Sequence, residues 1–337
     1  MKRLHLGMII CVAAMLVFVP LASAVAKEKP IKVRIASDHP ITAPHAVLFK
    51  NLEKKIPEVT NGRVKFESYF GGSLYSAADA LAAVQSGALE ICLGTSVLAP
   101  ISPGWSIISD LPFLFNDNEH YLRFLKTDAS REVDRRLEAK GVIHMGDWMT
   151  SGFGPVHIFN NKRPIRKLED FKGIKMRTPP YPMLVKIIKA LGMQSVVIAP
   201  PEVVTAIETG MVDGTFGHAF CIPTYNLKEN CPYMTRCNIT HFPMGLAFSK
   251  KWWDRVAPDL QRVLWDLIKE EGKNLNGKLK MMSSKIFDDH EASPGNSATV
   301  ITEEEKGRWR EIIKPIYAEV MEDEEMRMVI EAANATR

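Results

Sequence analysis

An α/β fold in two lobes is predicted by three features of the chain. Strand-like and helix-like patterns alternate, two such series follow one another, and one long helical stretch comes after both. Alternation of this kind argues for parallel sheets with helices packed on their faces.

The first series opens at residues 32–37, where polar and apolar residues alternate as in a half-buried strand. Over 44–59, Val47, Leu48, Leu52, Ile56 and Val59 recur at helical spacing. Residues 64–69 form the next strand, closed by Gly71-Gly72. A helix over 77–85 and a short buried strand over 89–93 follow. The Gly-Pro-rich stretch 99–105 interrupts the pattern before Leu111-Pro112-Phe113-Leu114-Phe115, and an amphipathic helix covers 130–139.

The second series has strands over 142–148, 155–160 and 174–177, a helix over 181–191 and a strand over 194–198. It closes with a helix over 202–209 and a strand over 212–216. The helical stretch 258–288 carries Leu260, Leu264, Leu267, Ile268, Leu275, Leu279 and Met282 on its apolar side. At ~1.5 Å per residue it extends over 40 Å, enough to brace two lobes. Thr302-Glu303-Glu304-Glu305 predicts a capping box opening a helix through 321.

Lys2 and Arg3 precede an apolar run over 6–21 and then Ala22-Ser23-Ala24 and Ala24-Val25-Ala26. A basic start, a short apolar core and small residues before the cut make residues 1–26 a secretory signal peptide, cleaved after Ala24 or Ala26. The run is short for a membrane span. Removing Lys2 and Arg3 with no acid lowers the formal charge from +4 to +2. So balanced a chain has no bulk electrostatic reason to bind nucleic acid or anionic membrane. The remainder, with no long apolar segment, is expected to be soluble. Cys92, Cys221, Cys231 and Cys237 remain after cleavage. An oxidising compartment permits a disulfide among the last three, with Cys231–Cys237 an open possibility.

Enzyme signatures are missing: no GxSxG elbow, HExxH, GxxxxGKS/T or GxGxxG occurs. The nine histidines do not cluster at ligand spacing, and His39, His218 and His241 read as hydrogen-bonding or packing residues. Arg177 is the residue that stands out. It ends a short strand stopped by Pro179, and ligands in open α/β sheets sit outside the carboxyl ends of strands. A guanidinium there offers a rigid bidentate fork to a carboxylate. The ordinary alternative is a surface arginine paired with a nearby acid.

Several segments, in order, resemble the solute receptors of TRAP transporters, the tripartite ATP-independent periplasmic carriers of organic acids. They are Ser37-Asp38-His39-Pro40, Thr60-Asn61-Gly62-Arg63-Val64, residues 81–91, Asp110 to Phe115, residues 168–179 and residues 202–214. The resemblance implies a two-lobe periplasmic binding protein fold closing over its ligand, then delivering it to a membrane permease. It implies lobe I over 27–150 with about 241–280, and lobe II over 151–240 with about 281–325. By position, Arg177 would hold the carboxylate. Asp38 or His39, Thr95, Ser96, Trp148 and residues 215–218, including Phe216, Gly217 and His218, would line the cleft.

Two departures bear on the ligand. The sialic-acid-type receptors carry a second arginine after the Trp-containing strand, where this chain reads Trp148-Met149-Thr150-Ser151-Gly152-Phe153. They carry a Glu-Asn pair after Asp213-Gly214, where this chain reads Thr215-Phe216-Gly217-His218. Trp148, Met149, Phe153 and Phe216 suggest a more apolar ligand body, and the positions of metal-assisted members find no match. The expectation is a monomeric periplasmic receptor for a small organic acid, without metal, cofactor or catalysis. The rival readings are a receptor for an ATP-driven importer or sensor, and a periplasmic enzyme on the same fold.

Overall fold

The computed structural model describes residues 29–93, 96–149, 153–179, 181–241 and 243–337. The expected signal peptide therefore falls outside the described residues. Lobe I begins with β1 (Ile31–Ala36), α1 (Pro44–Val59), β2 (Val64–Tyr69), α2 (Ala77–Ser86) and β3 (Ile91–Leu93). Helices α3 (Pro103–Asp110), α4 (Asn118–Phe124) and α5 (Asp128–Ala139) lead to β4 (Val142–Met149). The chain then crosses to lobe II: β5 (His157–Asn160), β6 (Lys175–Thr178), α6 (Pro182–Ala190), β7 (Gln194–Val197), α7 (Val203–Glu208) and β8 (Gly214–Gly217). Short helices α8 (Cys221–Thr224) and α9 (Leu227–Asn230) and strand β9 (Tyr233–Arg236) complete that passage. The return gives β10 (Met244–Ser249), α10 (Lys250–Trp253), α11 (Pro258–Glu291), β11 (Ser297–Val300), α12 (Glu303–Val320) and α13 (Glu324–Ala335).

Two sheets result, in orders β2-β1-β3-β10-β4 and β11-β9-β5-β8-β6-β7. They are mixed, which corrects the parallel sheets expected. β10 runs antiparallel to β3 and β4, and β5 antiparallel to β8 and β9. Each of β5 and β10 is entered by a direct crossing between lobes, whereas β11, reached through α11, pairs parallel to β9. A strand reached through its own βαβ crossover is held parallel, whereas one entered from the other lobe is free of that constraint.

Local sequence explains most elements. In α1, Pro44 occupies the first turn, where its missing N–H is harmless, and His45, Leu48, Phe49, Leu52 and Ile56 face inward. Val47 and Val59, expected on that face, are exposed. The stretch expected only to interrupt the pattern instead starts α3: the Ser102 side chain accepts from the Trp105 N–H and Pro103 follows at the first helical position. At α12 the Thr302 hydroxyl accepts from the Glu305 N–H, as predicted. The return half of the box is replaced, because the Glu305 carboxylate accepts from Leu168 N at 2.5 Å and Trp309 Nε1 at 3.2 Å.

Helix α11 has 34 residues, about 50 Å at ~1.5 Å per residue. It packs against α1 and β4 in lobe I and reaches β11 in lobe II, so it braces both. Its Leu260, Leu264, Ile268 and Leu279 are buried, and Met282 is exposed. One core runs through both lobes, from Val33 and Phe49 to Phe159 and Met234. A second, around Trp105, Phe124 and Leu137, takes in Val329, Ile330 and Ala333, so the final helix α13 returns to lobe I. A third, around Phe171, Ile174 and Trp309, belongs to lobe II. The four described cysteines are free, with Cys231 and Cys237 buried in different cores. Among the described residues, no helix is long and apolar enough to cross a membrane.

Candidate functional site

About 970 Å³ of space, part of it open solvent, lies in the cleft between the sheets. Lobe I supplies His39, Pro44, His45, Asp110, Pro112 and Met244, and lobe II supplies Arg177, Tyr181, Phe216, Gly217, His218 and Tyr225. Near the cleft, the lobes are tied by the Phe113 N–H donating to the Ile239 carbonyl at 2.9 Å.

Arg177 sits in β6 between β7 and β8, opposite Val196 and Thr215. Only 6% of it is exposed. Its Nε donates to the Ile198 carbonyl at 2.9 Å, fixing the plane of the guanidinium. Its Nη2 is buried without a hydrogen-bond partner. A buried cation normally takes an anionic partner, because desolvation otherwise costs several kcal/mol.

Gly217, at the end of β8, leaves room for α8. A Cβ there would lie 2.7 Å from Cys221 Cβ and 3.0 Å from its Sγ. His218 follows, with its ring centroid 4.5 Å from that of Phe153. Burial lowers its pKa to about 3, so the imidazole is neutral at physiological pH. Across the cleft, His45 shares a hydrogen bond with Ser37 Oγ at 3.1 Å. Burial, reinforced by His39, holds it well below the usual imidazole range. His39 Nδ1 lies 3.0 Å from Asp38 Oδ1. Burial opposes ionisation of Asp38, but the charge and hydrogen bond of His39 outweigh it and hold the carboxyl below its ordinary value.

Asp110 ends α3 and is 6% exposed. Its Oδ2 is buried without a partner. Burial raises its pKa to about 7, partly offset by hydrogen bonding with Ser109.

The predicted site residues separate into three groups. Arg177, His39, Phe216, Gly217 and His218 meet in the cleft. Asp38 and Trp148 require correction. Asp38 lines a smaller neighbouring cavity with Tyr75, Cys92 and Tyr181, which also lines the cleft, and its Oδ1 lies 3.0 Å from His39 Nδ1. Trp148 is core: its ring stacks on Phe49 at 5.6 Å and its Nε1 donates to the Ile268 carbonyl of α11 at 3.1 Å. Thr95 lies outside the described residues, and Ser96 opens a short 3₁₀ turn, Ser96–Leu98. His45, Asp110, Tyr181 and Tyr225 were not anticipated. Asp110 leads into the Leu-Pro-Phe-Leu-Phe segment and Tyr181 follows the prolines that end β6, so both had a signal in the sequence. Among the described residues, no group of three or more His, Cys, Asp or Glu side chains is placed to hold a metal ion.

Residues 36–324 match the family of bacterial extracellular solute-binding proteins, family 7. The chain belongs to that family. Among its relatives, the C4-dicarboxylate-binding periplasmic protein DctP of Rhodobacter capsulatus is 28% identical over 305 residues, 89% of each chain. The sugar acid binding protein DctPAm of Advenella mimigardefordensis, solved with galactonate, has TM-score 0.76 at 24% identity, covering 92% of this chain and 99% of its own. A TRAP periplasmic solute-binding protein of Sulfurospirillum deleyianum, solved with succinate, has TM-score 0.79 at 22% identity, covering 91% and 99%. The two-lobe fold and the resemblance read from the sequence are thus shown, and family 7 membership makes this chain a solute-binding protein.

Proposed function

We propose that this chain is the periplasmic receptor of a TRAP transporter, exported by its signal peptide, and that it captures a small organic acid through Arg177. One observation carries the reading: a buried guanidinium in the cleft, held flat by the Ile198 carbonyl, with Nη2 unpartnered. A carboxylate between the lobes supplies the missing acceptor and counter-charge. Binding then favours the closed arrangement by the ligand's differential affinity for it, and closure about the crossings presents the loaded receptor to the membrane permease.

His39, His218, Phe216 and Gly217 complete the cleft, with Asp38 orienting His39 and Trp148 holding β4 against α11. The role is capture without turnover. The cleft contains carboxyl and imidazole groups, but burial makes His45 and His218 weak bases and pushes the Cys221 thiol up to about 11, away from the reactive thiolate.

Calorimetry with a panel of carboxylic acids tests the reading. Wild-type protein should bind one or more of them, and Arg177→Ala should lose detectable binding while keeping its circular dichroism. Unchanged affinity in the folded variant overturns the assignment. Turnover of a bound acid would point to an enzyme instead.

A further inference from the structure

The relatives' names point to dicarboxylates and sugar acids, but the charges around this cleft point elsewhere. Arg177 is the one arginine or lysine lining it among the described residues. Positions 94–95, 150–152, 180 and 242, outside that set, hold no basic residue either. Of the three imidazoles, His45 and His218 are kept neutral by burial. His39 is matched by the Asp38 carboxylate at 3.0 Å. The cleft therefore provides for one anionic group.

Asp110 adds the opposite preference. Its carboxyl is buried, its Oδ2 has no partner, and it ends α3, where the helix dipole already disfavours negative charge. A second ligand carboxylate would be desolvated with no cation to meet it and with the Asp110 carboxyl lining the same cleft. Much of the rest of the wall is apolar, including Phe153, Val156, Leu184, Phe216 and Met244, and its other polar side chains are uncharged hydroxyls such as Thr224 and Tyr225. We propose that the cleft selects monocarboxylates with an apolar body, and that Asp110 excludes a second carboxylate. This rests on Arg177 holding the first one.

The test uses two ligand triads on the mature protein by calorimetry at pH 7.5. One is 5-methylhexanoate, glutaramate and glutarate; the other is 4-methylbenzoate, 4-carbamoylbenzoate and terephthalate. Within a triad the body is kept while the far end is apolar, a neutral amide or a carboxylate. In at least one triad, both monoanions should bind the wild type about tenfold or more tighter than the dianion, a gap of ~1.4 kcal/mol. In Asp110→Asn that gap should shrink about fivefold or more. A dianion binding the wild type as tightly as its matched amide overturns the proposal, and this comparison needs no variant to fold. So does a gap that persists in folded Asp110→Asn. If Arg177→Ala binds the monoanions undiminished, or no acid of either triad binds, the Arg177 reading fails and this inference with it. Dianion preference that Arg177→Ala abolishes sinks only the charge selectivity.

Discussion

The Arg177 Nε–H donates to the Ile198 carbonyl at 2.9 Å, joining the carboxyl-terminal half of β6 to the residue just past β7. That bond fixes the guanidinium plane and leaves Nη2 for an acceptor in the cleft. A lysine at this position keeps the charge but loses the planar fork and cannot hold both directions at once. Arg177→Lys should therefore bind the carboxylate ligand about tenfold or more weakly, ~1.4 kcal/mol. Titration calorimetry of folded protein checks this, and affinity within twofold of wild type would show that charge alone suffices.

The brace between β4 and α11 depends on a glycine. A Cβ on Gly272 would lie 2.5 Å from Trp148 Cδ1 and Nε1 and 2.7 Å from the Trp148 carbonyl oxygen, whereas Gly277 in the same helix has nothing within 4 Å. Gly272→Ala should cost ~1–3 kcal/mol by overpacking and lower the melting temperature by a few degrees. Gly277→Ala should be neutral or stabilising, since alanine favours an exposed helix interior by up to ~1 kcal/mol. Equal melting temperatures for the two variants would contradict the packing.

Asp110 should make stability depend on pH. Burial raises its folded pKa from 3.8 to about 7. The folded state therefore holds the proton more tightly, so its favourable contribution is complete below the unfolded value and is lost as pH rises through the folded one. Three units would correspond to ~4 kcal/mol at most, an upper bound because water in the cleft screens the charge. Asp110→Asn should raise the melting temperature relative to wild type more at pH 8 than at pH 4. A difference independent of pH would show that this carboxyl ionises normally in the fold.

Much of this architecture was legible because it is local. The strand over residues 64–69 and the α1 boundaries follow from apolar spacing and flanking residues, and Arg177 stood out because Pro179 ends its strand. Strand direction in β5 and β10 was not legible, since it is set by crossings between lobes. Trp148 was misplaced because the family resemblance gave its position on β4 but not whether its ring meets the cleft or α11. Asp110 escaped notice as a site residue because the placement of the helix it ends is set by contacts distant in sequence, among them the packing of α13 against α3.

That packing turns on Glu325. Its Oε1 accepts from Ser102 Oγ at 2.6 Å and Gly104 N at 3.0 Å, at the start of the helix that ends in Asp110. Arg136 Nη1 approaches Oε2 at 3.6 Å. A carboxylate at a helix N-terminus meets unsatisfied N–H groups and the positive end of the dipole, so the placement is favourable though only 5% of Glu325 is exposed. Glu325→Ala strands the buried Ser102 hydroxyl and the Gly104 N–H, and should cost ~1–3 kcal/mol. The loss should concentrate at the C-terminus, with faster hydrogen exchange in α13 and the first turn of α3 than in α11. Exchange that rises equally in all three helices would mean the contact does not clasp α13 to lobe I.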